Sequence, residues 1–343
     1  MKTSRKILCA ATLLAVSQVA LAFDVLPAAA ESPADNPGSA AKVALGQQLF
    51  FEPRLSVDGT VSCNSCHNVM ASGTDNRPVS VGVAGQKGGR SAPTVWNSAF
   101  LSAQFWDGRA ASLEDQAKGP ILNPIEMGMP SAEEAVARIN DIPGYVEQFK
   151  QVFGGSNPVT YDNIAKAIAA YERTLLTPDS AHDLHEKGDK NALSAQAKRG
   201  MALVETVGCT SCHNGTIFAG PALPVGTGFY QKFPTYENND YVAKYDLKGD
   251  DGRYSVTKND NDKNMWRVPT WRNVALTAPY FHNGSVATLD EAVRVMAKTQ
   301  LDKDLSDDEV ADIVAFLNSL TGKLPKQEMP QLPPTPGRTL TTK

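Results

Sequence analysis

Apolar residues recur every three or four positions in several segments of the chain, which is the spacing of one face of an α-helix. Residues 161–176 show this spacing clearly and place four apolar side chains on one predicted face: Ile164, Ile168, Tyr171 and Leu175. Residues 194–208 show it again and end at a glycine, the residue that often follows a helix. The pattern predicts a mostly α-helical protein.

Starts of helices are indicated by three capping-box motifs, in which a Ser or Thr precedes a Glu by three positions. The three pairs are Ser131 with Glu134, Thr288 with Glu291, and Ser306 with Glu309. Strand signals are scarce, and the segment YVAKYDL at 241–247 is the best of them. We therefore expect at most one short hairpin beside the helices.

One heptapeptide occurs twice in near-copy, as SCNSCHN at 62–68 and as GCTSCHN at 208–214. Both copies contain C-x-x-C-H, the signature of covalent c-type haem attachment. A thioredoxin-like redox pair does not need the histidine, and a zinc site of four cysteines leaves both histidines unexplained. The sequence therefore predicts two covalently bound haem c groups, held by Cys63, Cys66 and His67 and by Cys209, Cys212 and His213.

A long segment rich in Gly, Pro and Asn follows each haem motif, at 68–100 and at 214–285. Loops of this length are unusual in compact domains unless they serve a function, and here a haem provides the core that orders them. We expect two cytochrome c-like haem domains, an N-terminal one over 23–185 and a C-terminal one over 186–343. The Pro-rich residues 325–343 are expected to form a tail that wraps back or is disordered.

Residues 1–22 have the pattern of a secretory signal peptide, with three basic residues ahead of an apolar run that is too short to span a bilayer. Cleavage is expected after Ala22, and Ala30 offers a second position. Because bacteria attach haem c outside the cytoplasm, we expect a periplasmic protein without a membrane span. The formal net charge of −4 and the lack of a basic run argue against nucleic-acid binding and suit a small basic redox partner.

The sixth ligand of each iron separates electron relay from catalysis, because an iron with an open position binds small molecules. No histidine occurs between residues 68 and 181, so the first domain has no distal imidazole of its own. Met127 and Met129 are the alternatives there, while Met265 and Met296 are the alternatives for the second iron. Methionine at helical spacing is more often core packing, and spacing alone does not choose among these residues.

Four longer segments and the two haem motifs resemble the bacterial dihaem cytochrome c peroxidases. The segments are LFFEPRLSVDGTVSCNSCHN, GQKGGRSAPTVWN, QFWDGRAASLEDQAKGP and VPTWRNVALTAPYFHNGSVATLDEAVRVM. The resemblance extends in matching order from Ala44 to Leu320. It implies reduction of hydrogen peroxide to water with electrons from a small cytochrome c or a cupredoxin, by a protein that commonly forms homodimers.

The resemblance also implies roles for individual residues. The first haem would be the peroxidatic, low-potential haem, and the second the high-potential haem that receives electrons. Met296 matches the distal methionine of the second haem, and Trp106 matches the tryptophan that lies between the haems. Gln116 and Glu126 match the catalytic pair of the distal pocket, where an enclosed carboxylate moves a proton.

The chain departs from the family pattern at two positions. The family's calcium ion implies ligands at Ser91, Thr277 and Pro279, but Ser91 replaces an asparagine and is shorter. Val83 stands where many members have a histidine that blocks the peroxidatic iron until the second haem is reduced, and valine cannot bind iron. We therefore expect activity without reductive activation, unless another residue blocks the first haem.

These observations favour a periplasmic dihaem peroxidase, and two alternatives stay open. The first alternative is a maturase-like dihaem oxidase that modifies a partner protein, as in tryptophylquinone biogenesis. That relative has a tyrosine where this chain has Met296. The second alternative is a dihaem electron-transfer cytochrome, which would leave neither iron open to a small molecule.

Overall fold

The structure, a computed structural model, describes residues 23–335. The predicted signal peptide with its Cys9, and residues 336–343 at the other end of the chain, lie outside the described residues. Within the described range no helix is both long enough and apolar enough to cross a membrane.

Helices dominate the described chain, which confirms the prediction of a mostly α-helical fold. The helices are α1 (Ala40–Phe50), α2 (Cys63–Cys66), α3 (Leu113–Leu122), α4 (Ala132–Asn140), α5 (Pro143–Phe153), α6 (Tyr161–Glu172), α7 (Ala181–Glu186), α8 (Ala195–Val207), α9 (Asp240–Lys244), α10 (Tyr254–Thr257), α11 (Leu289–Leu301) and α12 (Asp307–Ser319). Two short strands, β1 (Tyr230–Lys232) and β2 (Met265–Arg267), pair in antiparallel fashion.

Helices α1, α3, α4, α5 and α6 enclose the first core, which is the largest hydrophobic cluster of the described chain. α1 crosses α6 closely at Gly46, where a Cβ atom would lie 1.9 Å from the carbonyl oxygen of Ala167. All four residues that the sequence pattern places on one face of 161–176 are buried. The helix itself ends at Glu172, so Leu175 joins the first core from the segment that follows it.

Helices α8 and α12 form the centre of the second core. Ser194 caps the start of α8, and the helix ends at Gly208 with a φ of 104°, a conformation that favours glycine. The helix predicted over 194–208 is therefore confirmed. Gly200 permits a close crossing, because a Cβ atom there would lie 1.9 Å from the carbonyl oxygen of Asp312 on α12.

The beginning of the described chain packs into the second core, although it precedes α1 in sequence. The ring centroid of Phe23 lies 5.4 Å from that of Phe218 and 5.7 Å from that of Phe316. The carbonyl oxygen of Asp24 accepts a hydrogen bond from Arg272 at 3.0 Å. The N-terminal segment is thus held by residues of the second half of the chain.

The C-terminal segment crosses in the opposite direction and lies on the first core. The side-chain amide of Gln47 on α1 donates to the carbonyl oxygen of Glu328 at 3.1 Å. The guanidinium of Arg54 donates to the carbonyl oxygen of Pro333 at 2.9 Å, and Leu332 packs against the first core. In the described residues the tail therefore wraps back onto the N-terminal half.

The strand predicted at 241–247 is wrong, because this segment begins with helix α9. The side chain of Asn239 accepts a hydrogen bond from the backbone N–H of Tyr241 and so caps the helix. Tyr241 and Tyr245 then lie four residues apart on one side, with ring centroids 6.2 Å apart. A cap and a side-chain pair at helical spacing outweigh the strand propensity of these residues.

The three predicted capping boxes differ in the structure. The box at the start of α12 is complete, whereas α4 keeps only the hydrogen bond that the Ser131 side chain accepts. The box predicted for α11 is wrong, since the Thr288 side chain makes no cap bond there. The carboxylate of Glu291 instead binds the Lys244 ammonium and the Tyr245 hydroxyl.

Candidate haem sites and active site

The first C-x-x-C-H motif lies on the one-turn helix α2 and the residue that follows it. The thiols of Cys63 and Cys66 are free and partly buried. The Nδ1 atom of His67 lies 3.0 Å from the carbonyl oxygen of Pro93, which can only accept, so Nδ1 carries the proton. Burial also lowers the pKa of this imidazole. His67 is therefore neutral, with the Nε2 lone pair free for a metal.

The second motif repeats this arrangement after α8. Cys209 and Cys212 are free thiols, and His213 Nδ1 donates to the carbonyl oxygen of Phe218 at 3.0 Å. The His213 ring stacks on Trp271 with the centroids 4.3 Å apart, which fixes its orientation. Burial lowers the pKa of His213 to about 4. Both histidines of the repeat thus present Nε2 in the form that binds iron.

Each motif faces a cavity. The first cavity has a volume of about 520 Å³, and its wall includes Cys66 and His67. The second cavity has a volume of about 170 Å³ between α8, α11 and α12, and its mostly apolar wall includes Cys209 and His213. A thiol, a neutral imidazole and an enclosed space occur together at both places, and this combination fits a haem.

The predicted proton carrier Glu126 lies at the wall of the first cavity together with Gln116, which is on α3. Asn123, in the turn after α3, donates its side-chain N–H to Glu126 Oε1 at 2.8 Å and holds the carboxylate in place. Burial raises the pKa of Glu126, and the nearby positive charge of Arg109 opposes that rise. The raised pKa makes the carboxyl group a better proton acceptor than an exposed glutamate.

Val83 is close to Glu126 in space but does not line the first cavity. Its backbone N–H donates to the carbonyl oxygen of Glu126 at 2.9 Å, and its side chain is buried in the first core near Gly128. Met127 and Met129 are also buried in this core. Among residues 23–335, His67 is the one histidine that lines the first cavity, and no methionine does.

Met296 on α11 lines the second cavity together with His213. The alternative ligand, Met265, lies on β2 opposite Lys232 and is not part of that wall. The structure therefore places one of the two candidate methionines in the same cavity as the histidine. This placement favours Met296 as the thioether ligand of the second iron.

Replacing Met296 with His should keep the second iron six-coordinate and lower its reduction potential, because a nitrogen donor favours the ferric state more than a thioether does. A redox titration of the purified protein measures the shift, and the haem content should stay the same. Met265→Leu is the matched control and should leave the potential unchanged. An unaltered potential in the Met296→His protein, or a lowered one in the control, would contradict the assignment.

Trp106 lies at the wall of both cavities. Its indole N–H donates to the carbonyl oxygen of Ser91 at 2.9 Å. Arg267 holds the backbone from the other side, since its N–H donates to the Trp106 carbonyl at 2.9 Å and its Nε to the Phe105 carbonyl at 3.0 Å. The indole ring is thus fixed between the two cavities.

Comparison with known proteins identifies the family to which this arrangement belongs. A family model described as di-haem cytochrome c peroxidase matches residues 40–191. The cytochrome c551 peroxidase of Pseudomonas aeruginosa is 49% identical over 291 residues, which cover 84% of this chain and 81% of that protein. The chain belongs to the di-haem cytochrome c peroxidase family.

Two further similarities agree with this result. The cytochrome c551 peroxidase of Nitrosomonas europaea is 48% identical over 304 residues, covering 87% of this chain and 85% of that protein. A solved structure of a MauG-like protein associated with microbial copper homeostasis matches with a TM-score of 0.75 and 31% identity, covering 87% of this chain and 95% of that chain. The chain is thus a peroxidase, and its family implies two haem groups.

The residues expected to bind calcium all belong to the wall of one cavity. Ser91, Thr277 and Pro279 all line the second cavity. The side-chain amide of Asn76 donates to the two carbonyls that flank Thr277, at 2.8 Å each, and so orders this loop. Residues 23–335 contain no cluster of three His, Cys, Asp or Glu side chains that could hold a metal. Calcium here remains a prediction that depends on uncharged oxygen ligands.

Four residues of the two cavities were not among the predicted site residues. Asn123 and Arg109 adjust Glu126, and of these only Asn123, in the turn motif NPIE, has a recognisable local pattern. Arg267 and Glu172 are buried polar residues within segments that otherwise read as ordinary structure. Their positions follow from the fold and not from any motif.

Proposed function

We propose that this peroxidase reduces hydrogen peroxide to water at the first cavity, with electrons that a small cytochrome c or a cupredoxin delivers to the second. The observation that carries the proposal is that His67, Gln116 and Glu126 share one cavity, while Trp106 connects it to the cavity of His213. We also propose that the protein works in the periplasm, in keeping with its secretory-type N-terminus.

The four motif cysteines would hold the two haems through thioether bonds, and His67 and His213 would be their iron ligands. When bound, the haems supply one-electron transfer, and in the first cavity an iron to which peroxide can bind. The protein must provide the proton transfer and the path for the electrons. Reduction of one peroxide to two waters consumes two electrons and two protons, so the protein must guide both.

Glu126 is the group that moves a proton within the substrate. Its carboxylate takes the proton from one peroxide oxygen and returns it to the other oxygen as the O–O bond breaks. The hydrogen bond from Asn123 keeps one carboxylate oxygen in place, and we assign the Gln116 amide, which lines the same cavity, to orient the peroxide. Trp106, fixed by Ser91 and Arg267, lies where electrons pass from the second cavity to the first.

Steady-state turnover of hydrogen peroxide with reduced cytochrome c tests the proposed function directly. A maturase-like oxidase is the second candidate, since a MauG-like protein shares the fold. The presence of Met296 at the second cavity favours the peroxidase over that candidate. Failure to turn over peroxide with either a cytochrome or a cupredoxin would reject the proposal.

The fully oxidised protein should react with peroxide without prior reduction, because no second histidine and no methionine of residues 23–335 lines the first cavity. Stopped-flow mixing with peroxide should give an immediate spectral change. Val83→His should remove this reaction and make it depend on a reductant. The apolar first core offers the new imidazole no partner, so the turn that carries it is expected to leave the core and bring it to the iron.

Val83→Ala is the matched control, since it changes the same position without adding a ligand, and it should still react in the oxidised state. A low-spin, six-coordinate first haem should distinguish Val83→His from both parent and control. If the oxidised parent showed no spectral change until a reductant was added, the first haem would be blocked and the idea of an open site would be lost.

A further inference from the structure

Glu172 is a second buried carboxyl group at the wall of the first cavity. It is the last residue of α6, the residue is 5% exposed, and its Oε2 atom has no hydrogen-bond partner. Buried carboxyl groups are normally paired with a cation or hydrogen-bonded, because an unpaired charge is costly to bury. The proposed movement of a proton by Glu126 gives Glu172 no role.

The neighbouring charges do not compensate Glu172. Burial raises its pKa to about 8, and the adjacent Arg173 opposes this only in part, because its guanidinium is paired with Glu114 at 2.7 and 3.0 Å. A position at the C-terminus of a helix also disfavours a negative charge. The charged and titratable groups nearest to Glu172 are Arg173, Glu114 and Cys63. Further groups of this kind line the rest of the cavity wall: Cys66, His67, Arg90, Asp107, Arg109, Glu126 and Asp250.

The wall that contains Glu172 has further polar atoms without partners. Ser80 Oγ and Ser98 Oγ also line the first cavity and make no hydrogen bond within the protein. Polar groups at such a wall are satisfied by whatever fills the cavity, either water or the polar edge of a bound group. Glu172 therefore lies at the wall of the cavity to which the proposed function assigns the arrival of electrons and the consumption of protons.

We propose that Glu172 takes up a proton when the haem of the first cavity is reduced, and that it thereby supplies one of the two protons that peroxide reduction consumes. This inference rests on the proposed function. The positive charge of an oxidised haem favours the carboxylate, and arrival of an electron from the donor removes that charge and favours the acid. The proton comes from solvent through the cavity and turns the carboxylate into a carboxylic acid. Since Glu126 already completes the departing water, the acid later gives its proton to the other peroxide oxygen, which becomes the second water.

Redox titrations of the holoenzyme over a range of pH test the coupling. In the parent, the midpoint potential of the first haem should fall as pH rises through neutrality, because reduction then requires proton uptake. Glu172→Gln should lose most of this pH dependence while retaining both haems. Glu172→Asp keeps a carboxyl group and should retain the pH dependence, but centred at a different pH. Glu147→Gln, an exposed position on α5, is the matched control and should behave as the parent.

A second measurement covers the case in which Glu172→Gln does not fold. Reduced-minus-oxidised infrared spectra of the parent should show the C=O band of a newly protonated carboxylic acid, and the band should shift in Glu172→Asp. An unchanged slope in Glu172→Gln, or no such band in the parent, would overturn the proposal. Absence of peroxide turnover would instead reject the proposed function, since both readouts report on reduction without peroxide.

Discussion

The double variant Cys209→Ser, Cys212→Ser should lose all peroxide turnover with an external donor while it keeps one haem. Serine hydroxyls form no thioether bond, so the second haem is not retained and electrons have no place to enter. The wall of the first cavity includes residues of α2, α3, α10 and the end of α6, but neither Cys209 nor Cys212, so the first haem should be retained. Haem content by absorbance and mass, together with oxidation of reduced cytochrome c by peroxide, measures both effects.

The reciprocal variant Cys63→Ser, Cys66→Ser is the matched control. It also retains one haem, but this haem should still be reduced by the donor and should not react with peroxide. The two variants thus separate electron delivery from peroxide chemistry. Turnover at the parental rate in the first variant would show that electrons enter elsewhere and that the proposed division between the haems is wrong.

Glu126→Gln should lower kcat for peroxide reduction by about 10²–10⁴-fold, the usual contribution of a positioned general acid–base group. Glutamine has nearly the same shape and keeps a carbonyl oxygen that can accept the hydrogen bond from Asn123. It cannot take up a proton from peroxide, so the loss should fall on kcat and not on haem content. Glu205→Gln, an exposed position on α8, is the control and should retain parental activity.

The pH profile gives an independent check of the role of Glu126. The carboxylate is the active form of a base, and burial raises its pKa above the ordinary value of 4.5. Activity of the parent should therefore rise with pH through that raised pKa and be lost below it. This acidic limb should disappear in Glu126→Gln. A residual activity that keeps the same limb would assign the limb to another group.

Local sequence signals predicted the features that depend on neighbours along the chain. The two C-x-x-C-H motifs, the helix before the second motif and the complete capping box of α12 are all specified within a few residues. Local propensity failed where tertiary partners competed for the same group. Glu291 was expected to cap its own helix, but Lys244 and Tyr245, distant in sequence, bind its carboxylate.

The candidate site could be predicted only as far as the family resemblance reached. It indicated Trp106, Gln116 and Glu126, and the structure places all three at the first cavity. Nothing in the sequence indicated the buried charged residues around that cavity. Glu172 ends a helix whose other inward residues are apolar, and Arg267 lies in a strand, so each looks like an ordinary surface charge until the fold buries it.

Each end of the described chain packs against the opposite half of the protein, and this determines the order in which the two cores can form all their contacts. The first core receives Leu332, and residues 328 and 333 accept hydrogen bonds from Gln47 and Arg54, so contacts of the N-terminal half await the end of the chain. Phe23, which is made early, meets the rings of His182 and Phe218 and gains its last ring partner, Phe316, only after α12 exists. The N-terminal half lacks part of its contacts until residues 328–333 have been made, and the second core includes Phe23, so cutting the chain between the haem motifs should leave neither half with its full set of contacts.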